Sequence, residues 1–399
     1  MEKVIFHIDV NSAFLSWDAV ERLQDGEAQD LREIPSAVGG DRSKRRGVIL
    51  AKSGPAKKYK VRTGEPIVDA LRKCPDLVIV PPRHDLYRSY SRRFLNILTD
   101  YASEIEKYSI DEAYMDVTES LALFGEPVQL AALIQNRIYN ELGFTVNVGI
   151  SSNRLLAKMA SDFEKPNRIH TLYPSEIREK MWPLPVRELF LVGQSTQKVL
   201  TLLGIHTIGE LAGTDIQILR SHLKKQGEVI WAFANGMAAD IIGAVPPANK
   251  GYGNSVTLPY DVTDPSFAAM ILLSLTETVC ERLRADEMQG QVVALTIKDS
   301  DFKTTSHQMA LESPTNLTQE VHMYVLRLFE ELYNGAPIRL LGVRMQKVAK
   351  GEGERQLNFL DQVDYEKLEK LDKAVDEIRK KFGADAIKRA SFLPKKEQK

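Results

Sequence analysis

Residues 108–117 of the 399-residue chain read YSIDEAYMDV and place two adjacent carboxylates, Asp111 and Glu112, in a segment of strand-forming composition. Adjacent residues of a regular strand face opposite sides, so these carboxylates share a site only where the strand turns. The pattern predicts a hairpin with residues 105–110 and 113–117 as its arms and the carboxylates at its tip. Such a tip suits a hard divalent cation, because these cations take oxygen ligands.

A helix start is the competing interpretation of the same residues. Ser109 and Glu112 have the spacing of a capping box at a helix N-terminus. Tyr114, Met115 and Val117 favour a strand instead, so the hairpin is the working prediction.

Another acidic residue strengthens the metal-site interpretation. Residues 3–9 form a short apolar run that ends in Asp9, and functional groups of α/β domains often follow the end of a central strand. Asp9, Asp111 and Glu112 together would form a three-carboxylate cluster. Uncompensated carboxylates repel one another, so the sequence predicts a divalent cation as their partner.

Length and composition describe an ordinary globular protein of several domains. The hydrophobic content is 43% and the charged content 27%, and a chain of this length predicts roughly two to four domains. Cys74 and Cys280 provide neither a disulfide framework nor zinc-ligand spacing. The N-terminus has no long apolar segment, so we expect a protein of the reducing cytoplasm, without a signal peptide or membrane span.

Charge is more informative locally than globally. The net charge of −1 does not indicate a nucleic-acid-binding protein, but residues 41–62 contain nine basic residues and one acidic residue, Asp41. This basic segment predicts a phosphate-binding patch. A solvated loop with scattered charge is the alternative interpretation.

Hydrophobic periodicity divides the chain into three parts. Residues 4–163 alternate strands and helices, which predicts a mixed-sheet α/β domain. From residue 175 the pattern changes to short helices, with glycine turns at residues 191–196 and 203–211 that are typical of helix-hairpin-helix elements. Beyond a proline- and glycine-containing linker, residues 255–348 predict the order βαββαβ.

The motifs together resemble the Y-family DNA polymerases of the DinB/UmuC type. The resemblance is collinear from about residue 4 to residue 347, and its motifs are His7-Ile8-Asp9, Phe14, Ser109-Ile110-Asp111-Glu112-Ala113-Tyr114, Gly149-Ile150-Ser151, Ala157-Lys158 and Lys165-Pro166-Asn167. The Ser-Ile-Asp-Glu-Ala signature is specific in that order. The resemblance implies a multidomain right-hand polymerase that combines α/β and α+β domains.

The family's architecture implies a boundary for each domain. We expect a palm in residues 1–15 and 77–174, small fingers in 16–76 and a helix-hairpin-helix thumb in 175–243. A linker in 244–252, a little finger in 253–350 and a tail in 351–399 complete the chain.

The resemblance also implies the roles of individual residues. Asp9 and Asp111 would bridge two Mg²⁺ ions with help from the Val10 carbonyl, and Glu112 would be the catalytic carboxylate at the primer end. Phe14 matches the steric gate against ribonucleotides; its alternative role is a core aromatic of the first helix. Lys165 matches the lysine that binds the triphosphate, and a solvated lysine is its alternative.

Four positions depart from the family's pattern. The fingers usually supply a tyrosine and an arginine to the triphosphate, and here Gly54 and Lys57 stand at those positions. Lysine offers a point charge in place of a bidentate fork. Asn11 replaces the aspartate after the first metal ligand, and Ala13 replaces the aromatic before the gate. These departures put nucleotide affinity and the shape of the pocket floor in doubt, but leave the metal site complete.

The tail contains a segment that resembles the peptide by which bacterial polymerases bind the sliding clamp. Its anchors are Gln356, Leu357, Phe359 and Leu360, and a helix with a stripe formed by Leu368, Leu371, Val375, Ile378 and Phe382 follows. A hydrophobic tail that packs on its own domain is the alternative. The implied partners are primer–template DNA, deoxynucleoside triphosphates and a clamp, and we expect a monomer.

The resemblance therefore implies an error-prone translesion DNA polymerase. A DNA- and clamp-binding repair factor without catalysis is the alternative, and the intact Asp9, Asp111 and Glu112 speak against it. A palm-fold nucleotidyl cyclase, suggested by Gly39-Gly40-Asp41, leaves the helix-hairpin-helix elements unexplained.

Overall fold

The computed structural model describes residues 3–40, 47–238, 249–351, 364–383 and 385–392. The chain divides into two compact units: the first contains the described residues of Met1–Gly40 and Val48–Val245, and the second those of Asp41–Gly47 and Pro246–Lys399. In the described ranges, no helix is both long enough and apolar enough to cross a bilayer.

The first unit alternates strands and helices up to residue 171. Its strands are β1 (Ile5–Val10), β2 (Ser36–Gly39), β3 (Ile49–Lys52), β4 (Val78–Val80), β5 (Glu104–Lys107), β6 (Glu112–Asp116), β7 (Val146–Ser151) and β8 (Ile169–Thr171). Its helices up to that point are α1 (Ala13–Gln24), α2 (Gly54–Lys58), α3 (Ile67–Lys73), α4 (His84–Leu98), α5 (Leu121–Phe124), α6 (Pro127–Leu142) and α7 (Arg154–Ser161).

A five-stranded sheet in the order β5-β6-β1-β7-β8 forms the centre of the first unit. Strand β1 is buried along its whole length, as its apolar sequence predicts. Phe6, Ile8 and Val10 contribute to the main hydrophobic core, which also contains residues of α1, α4 and α6. His7 and Asp9 therefore point to the opposite face, because strand residues alternate.

The predicted hairpin is present, with shorter arms. Strands β5 and β6 pair in antiparallel fashion, and residues 108–111 connect them. The backbone N–H groups of Tyr108 and Ser109 both donate to the carbonyl of Glu112, at 3.0 and 3.2 Å. The alternative of a helix start is wrong here. Asp111 lies in the turn, whereas Glu112 is already the first residue of β6.

A smaller sheet in the order β3-β2-β4 forms a separate core with α2 and α3. Helix α2 begins at a capped turn: the Ser53 hydroxyl accepts a hydrogen bond from the Ala56 N–H at 3.1 Å, and Pro55 lies in the first turn.

Short helices follow from residue 174, as the sequence predicts. A 3₁₀ turn (Pro174–Glu176), a π turn (Ile177–Met181) and a second 3₁₀ turn (Val186–Glu188) lead into the α-helices of this segment. These are α8 (Gln194–Leu202), α9 (Ile208–Gly213), α10 (Ile216–Leu223) and α11 (Lys225–Ala234). Gly193 is the N-cap of α8, and Gly204 takes a left-handed conformation after that helix.

The second unit has the predicted βαββαβ order. Its elements are β9 (Gly251–Val262), α12 (Pro265–Ala285), β10 (Met288–Asp299), β11 (Thr304–Thr315), α13 (Thr318–Leu332) and β12 (Ile338–Lys350). The strands form an antiparallel sheet in the order β11-β10-β12-β9. Leu341, Val343 and Met345 of β12 are buried in the core with α12 and α13, while Arg344 is exposed.

A C-terminal helix, α14 (Tyr365–Phe382), completes the second unit. The predicted apolar stripe is not the part of the helix that is buried most deeply: Leu371 and Phe382 are 50% and 67% exposed, whereas Asp372 is buried. Asp372 and Asp376 bind Arg284 of α12 instead. Charged groups thus contribute to the attachment of the tail helix, while Leu368, Val375 and Ile378 of the stripe are half-buried. The hydrophobic-tail alternative concerns the peptide that precedes this helix, which lies outside the described residues, so that alternative stays open.

Candidate active site

A cavity of about 450 Å³ is lined by residues from both sheets of the first unit. Its lining comes from the end of β1 and the start of α1, from β3 and α2, from the β5–β6 turn and from the loop after α7. The residues are 9–14, 50–54, Lys57, Thr63, Asp111, Lys165 and Pro166. Of the predicted site residues, Asp9, Val10, Phe14, Lys57, Asp111 and Lys165 therefore meet at one cavity.

Asp9 and Glu112 are brought together by strand register. They are direct partners in the antiparallel pair of β1 and β6, so their side chains project from the same face of the sheet. Burial raises the pKa of Asp9 to about 7, and the hydrogen bond and negative charge of Glu112 add to the rise. The ammonium of Lys165 lies 3.1 Å from the Asp9 carboxylate and opposes that shift.

A lysine of α7 neutralises Glu112. The Nζ atom of Lys158 lies 2.9 Å from Glu112 Oε1, and Lys158 is only 7% exposed. Helix α7 approaches this closely because Gly149 of β7 has no side chain: a Cβ there would lie 1.9 Å from the carbonyl oxygen of Ala157. Lys158 belongs to one of the motifs that carry the resemblance, but the resemblance implied no role for it. The sequence signal for a buried, paired lysine was its isolated position in the apolar run LLAKMAS.

Asp111 is held in place by its own turn. Its carbonyl accepts a hydrogen bond from the Val10 N–H at 3.0 Å, which ties the turn to the end of β1. Its carboxylate accepts one from the Ser109 hydroxyl at 2.6 Å. Asp111 lines the cavity beside Asp9.

The three carboxylates are neighbours, but they do not converge as the sequence predicted. Across the described ranges, no three acidic, histidine or cysteine side chains form a group that could hold a metal ion. The reason is local pairing: Asp9 binds Lys165, Glu112 binds Lys158, and Asp111 binds Ser109.

Phe14 belongs both to the cavity and to the core. Its ring lines the cavity and stacks on buried Tyr87, with ring centroids 4.4 Å apart and planes 10° from parallel. The ring centroids of His84 and Trp17 lie 6.2 and 6.1 Å from the ring centroid of Phe14. The two interpretations of Phe14 are therefore compatible, because packing fixes the orientation of a ring that faces the cavity.

Asn11 has a supporting role in the loop that carries Lys165. Its side-chain oxygen accepts hydrogen bonds from the Thr145 hydroxyl and from the Asn167 N–H, both at 2.9 Å, and its amide nitrogen donates to Asn147. An amide satisfies all three contacts, whereas an aspartate has no hydrogen to donate to Asn147.

The comparisons with known proteins agree with this arrangement. The impB/mucB/samB family model matches residues 8–162, its C-terminal domain model matches residues 249–359, and the IMS family HHH motif matches residues 174–205. A DNA polymerase IV of Clostridium acetobutylicum is 47% identical over 398 residues, which cover 100% of both chains. The chain belongs to the impB/mucB/samB family, the Y family of DNA polymerases.

Further relatives and a solved structure support the same assignment. DNA polymerase IV 2 of Bacillus subtilis is 37% identical, with 98% of this chain and 95% of that chain aligned. A Y-family DNA polymerase chimera of Dbh and Dpo4 matches with a TM-score of 0.73 over 86% of this chain and 99% of that one. At 23% identity this match shows the fold, and it confirms the predicted right-hand polymerase class.

Membership settles the reaction class. The chain is a DNA-directed DNA polymerase of the translesion family, and it depends on divalent metal ions as the family does. The match to the HHH motif also confirms the predicted helix-hairpin-helix segment.

Proposed function

We propose that this polymerase joins deoxynucleotides to a primer 3′-hydroxyl in the cavity described above, with Asp9, Asp111 and Glu112 as catalytic carboxylates. The observation that carries the proposal is a single cavity that contains Asp9 and Asp111 together with Lys57 and Lys165. A nucleoside triphosphate next to a metal site needs oxygen ligands for the metal and cations for the phosphates. Both kinds of group are present.

The donor types suit the two Mg²⁺ ions that the proposal requires, although Lys165, Lys158 and Ser109 are the partners of these carboxylates in the structure. Asp9, Asp111, Glu112 and the Val10 carbonyl offer the hard oxygen ligands that Mg²⁺ prefers. The pKa of Asp9, raised to about 7 by burial, indicates a carboxylate in need of a cation. When bound, the ions would supply charge stabilisation to the attacking and leaving oxygens.

The chain's own residues do the remaining work. Lys165 would exchange its contact with Asp9 for the triphosphate, since its 3.1 Å ion pair competes with the metal ligand role of that carboxylate. Lys158 would keep the Glu112 carboxylate oriented through their 2.9 Å ion pair. Phe14, held by Tyr87, would exclude a ribose 2′-hydroxyl.

The domain boundaries predicted from the sequence form part of the proposal, and so do DNA contacts made by β12. Arg344, Lys347 and Lys350 of β12 are exposed, and Arg339 stacks over Phe302 at 4.4 Å. An exposed basic strand of this kind suits phosphate binding that does not read bases. The glycine turn at the start of α8 offers backbone N–H groups for the same purpose.

A sliding clamp is the proposed partner of the tail. Gln356, Leu357, Phe359 and Leu360 lie outside the described residues. Support comes from the resemblance of their sequence to clamp-binding peptides and from their position between β12 and α14, which both belong to the second unit. Changing Leu357 and Phe359 to Ala should remove clamp-stimulated extension and leave clamp-free single-nucleotide insertion unchanged. A fall in clamp-free insertion would favour packing of these side chains on their own domain.

Primer extension on undamaged and lesion-bearing templates with Mg²⁺ tests the proposed function. The wild-type chain should extend both templates with frequent misinsertion, and Asp111→Asn should extend neither while still binding DNA. Activity of that variant at the wild-type rate would overturn the assignment of the cavity. Failure of the wild-type chain on every template would favour a DNA- and clamp-binding factor without catalysis.

A further inference from the structure

Two lysines in the wall of the catalytic cavity have no acidic partner. Lys52 is the last residue of β3, and Lys57 lies in α2; both line the cavity. Within the described ranges, neither side-chain ammonium forms a hydrogen bond, and neither forms an ion pair within 4 Å. Lys165, in contrast, is bound by Asp9 at 3.1 Å and by Asp162 at 2.9 Å.

The surroundings of Lys52 disfavour its positive charge as long as no anion is present. Burial lowers the pKa of the Lys52 ammonium, and the neighbouring charge of Lys57 lowers it further. Glu65 is the carboxylate that opposes this shift, but it is already bound by Lys73. An anion in the cavity would remove the repulsion between the two lysines.

Space for that anion exists beside the lysines. Gly54 lies between them in sequence and also lines the cavity, and a Cβ added to it would meet no atom within 4 Å. The same cavity contains Asp9 and Asp111. A ligand with several phosphates could reach from these carboxylates to the lysines. Its reacting phosphate would then lie at Asp9 and Asp111, and its remaining negative charge at Lys52 and Lys57.

We propose that Lys52 binds the phosphate oxygens of the incoming nucleotide distal to the transferred phosphate, acting with Lys57. This inference rests on the proposed function. It adds Lys52 as an affinity-determining residue of the fingers in a chain that has glycine and lysine where its family usually has tyrosine and arginine. Lys52 touches the leaving pyrophosphate portion and takes no part in proton transfer.

The test is single-turnover insertion of each deoxynucleotide by Lys52→Met and Lys52→Arg. Methionine keeps the aliphatic stem but removes the charge, and arginine keeps the charge. Lys58→Met is the matched control, because Lys58 lies on the same helix as Lys57 and is exposed like it, but does not line the cavity. Thermal unfolding of each variant checks that the fold is retained.

Lys52→Met should raise the apparent Kd for all four nucleotides roughly tenfold or more, as expected for loss of a charge-assisted contact. Its maximal insertion rate and its affinity for DNA should stay within about threefold of wild type. Lys52→Arg should retain most of the nucleotide affinity, and Lys58→Met all of it. Inorganic triphosphate, which carries neither base nor sugar, should lose inhibitory affinity for Lys52→Met by the same factor.

Three results would overturn the inference. They are an unchanged nucleotide Kd for Lys52→Met, an effect confined to one base, and an unchanged inhibition constant for inorganic triphosphate. The last two would place Lys52 beside the base pair. Failure of the proposed function would be recognised separately, since the wild-type chain would then not extend primers at all.

Discussion

Two clusters of buried charge, one in each unit, are built from different residues. In the second unit Arg284 contacts Asp376 through two nitrogens, at 2.6 and 2.9 Å, and Asp372 at 3.1 Å. Asp372 also accepts from the Thr318 N–H at 2.8 Å. In the catalytic cavity, single lysines contact Asp9 and Glu112, and Asp9 has a raised pKa.

The difference separates a structural site from a functional one. Arginine presents a planar fork that satisfies two carboxylates at once, whereas lysine is a point charge that can be exchanged for another cation. The arginine cluster around Arg284 is complete within the chain. In the proposed function, a metal ion would replace the lysine at Asp9, and a phosphate would bind Lys52 and Lys57. Perturbed groups of this kind concentrate at functional sites.

The largest effect should come from removing one carboxylate of the cavity. Asp111→Asn should lower primer extension roughly a thousandfold or more, because several kcal/mol of transition-state charge stabilisation are lost. Its DNA affinity and melting temperature should stay near those of the wild type. Rapid-quench insertion assays would measure the rate, and an extension rate within tenfold of wild type would contradict the role of Asp111.

Glu112→Gln should be equally inactive but also less stable. It removes the nearest counter-charge of Lys158, which is only 7% exposed, and leaves only the carboxylate of Asp162 at 3.8 Å. The double variant Glu112→Gln/Lys158→Met removes both charges and should regain the stability without the activity. Equal melting temperatures of the single and double variants would show that Lys158 is not held by Glu112.

Breaking the arginine cluster should lower stability while leaving the activity nearly unchanged. Arg284→Met leaves Asp372 and Asp376 uncompensated and should weaken the attachment of α14 by about 3 kcal/mol or more, while single-nucleotide insertion stays within about twofold. Hydrogen exchange of the α14 amides measures the attachment. Lys370→Met is the control, because its pair with Glu366 is 78% and 86% exposed and should contribute well under about 1 kcal/mol. Unchanged protection in Arg284→Met would refute a structural role.

Phe14 should give a smaller effect that is confined to sugar selection. Phe14→Ala should reduce discrimination against ribonucleotides by roughly one to two orders of magnitude, the scale of one well-placed steric contact. It should also cost some stability, because the stacking on Tyr87 is lost. Phe14→Leu retains bulk, so its discrimination against ribonucleotides should lie between those of the wild type and Phe14→Ala. Constant discrimination in both variants would make Phe14 a core residue only.

The smallest effects should come from exposed charges on β12. The plot of log DNA affinity against log salt concentration should have a negative slope of about 0.9 for each neutralised phosphate. Arg344→Met and Lys347→Met should each make that slope shallower by about 0.9, the value for one phosphate. Filter binding at several salt concentrations measures the slope. Equal slopes for variants and wild type would place the DNA contacts elsewhere.

The sequence was sufficient for the elements with a strong pattern. The apolar run of β1, the SIDEA hairpin and the alternation in β10 and β12 predicted strands because burial on one or both faces leaves that pattern. Strand β8 has only three residues, all half-buried, and was not predicted. The apolar stripe predicted helix α14 but not its charged contacts, because Asp372 and Asp376 bind Arg284, which lies about 90 residues away in the sequence.

The cavity was predictable only in part. Local motifs indicated Asp9, Asp111, Glu112, Phe14, Lys57 and Lys165. The pairing of Glu112 with Lys158 depends on how closely α7 approaches β7, and the position of Lys52 depends on the separate fold of the small sheet. Neither the approach of α7 to β7 nor the position of Lys52 is encoded in a local pattern of residues.

Two glycines of the first unit should differ sharply in mutational tolerance. Gly149 faces a backbone oxygen at 1.9 Å from any added Cβ, so even alanine would push α7 outward and carry Lys158 away from Glu112. Gly54 faces open cavity and has no such neighbour. In a library of random variants selected for lesion bypass, position 149 should return only glycine, while position 54 should return many residues. Substrate affinity could therefore diversify at position 54 without disturbing the geometry that position 149 maintains.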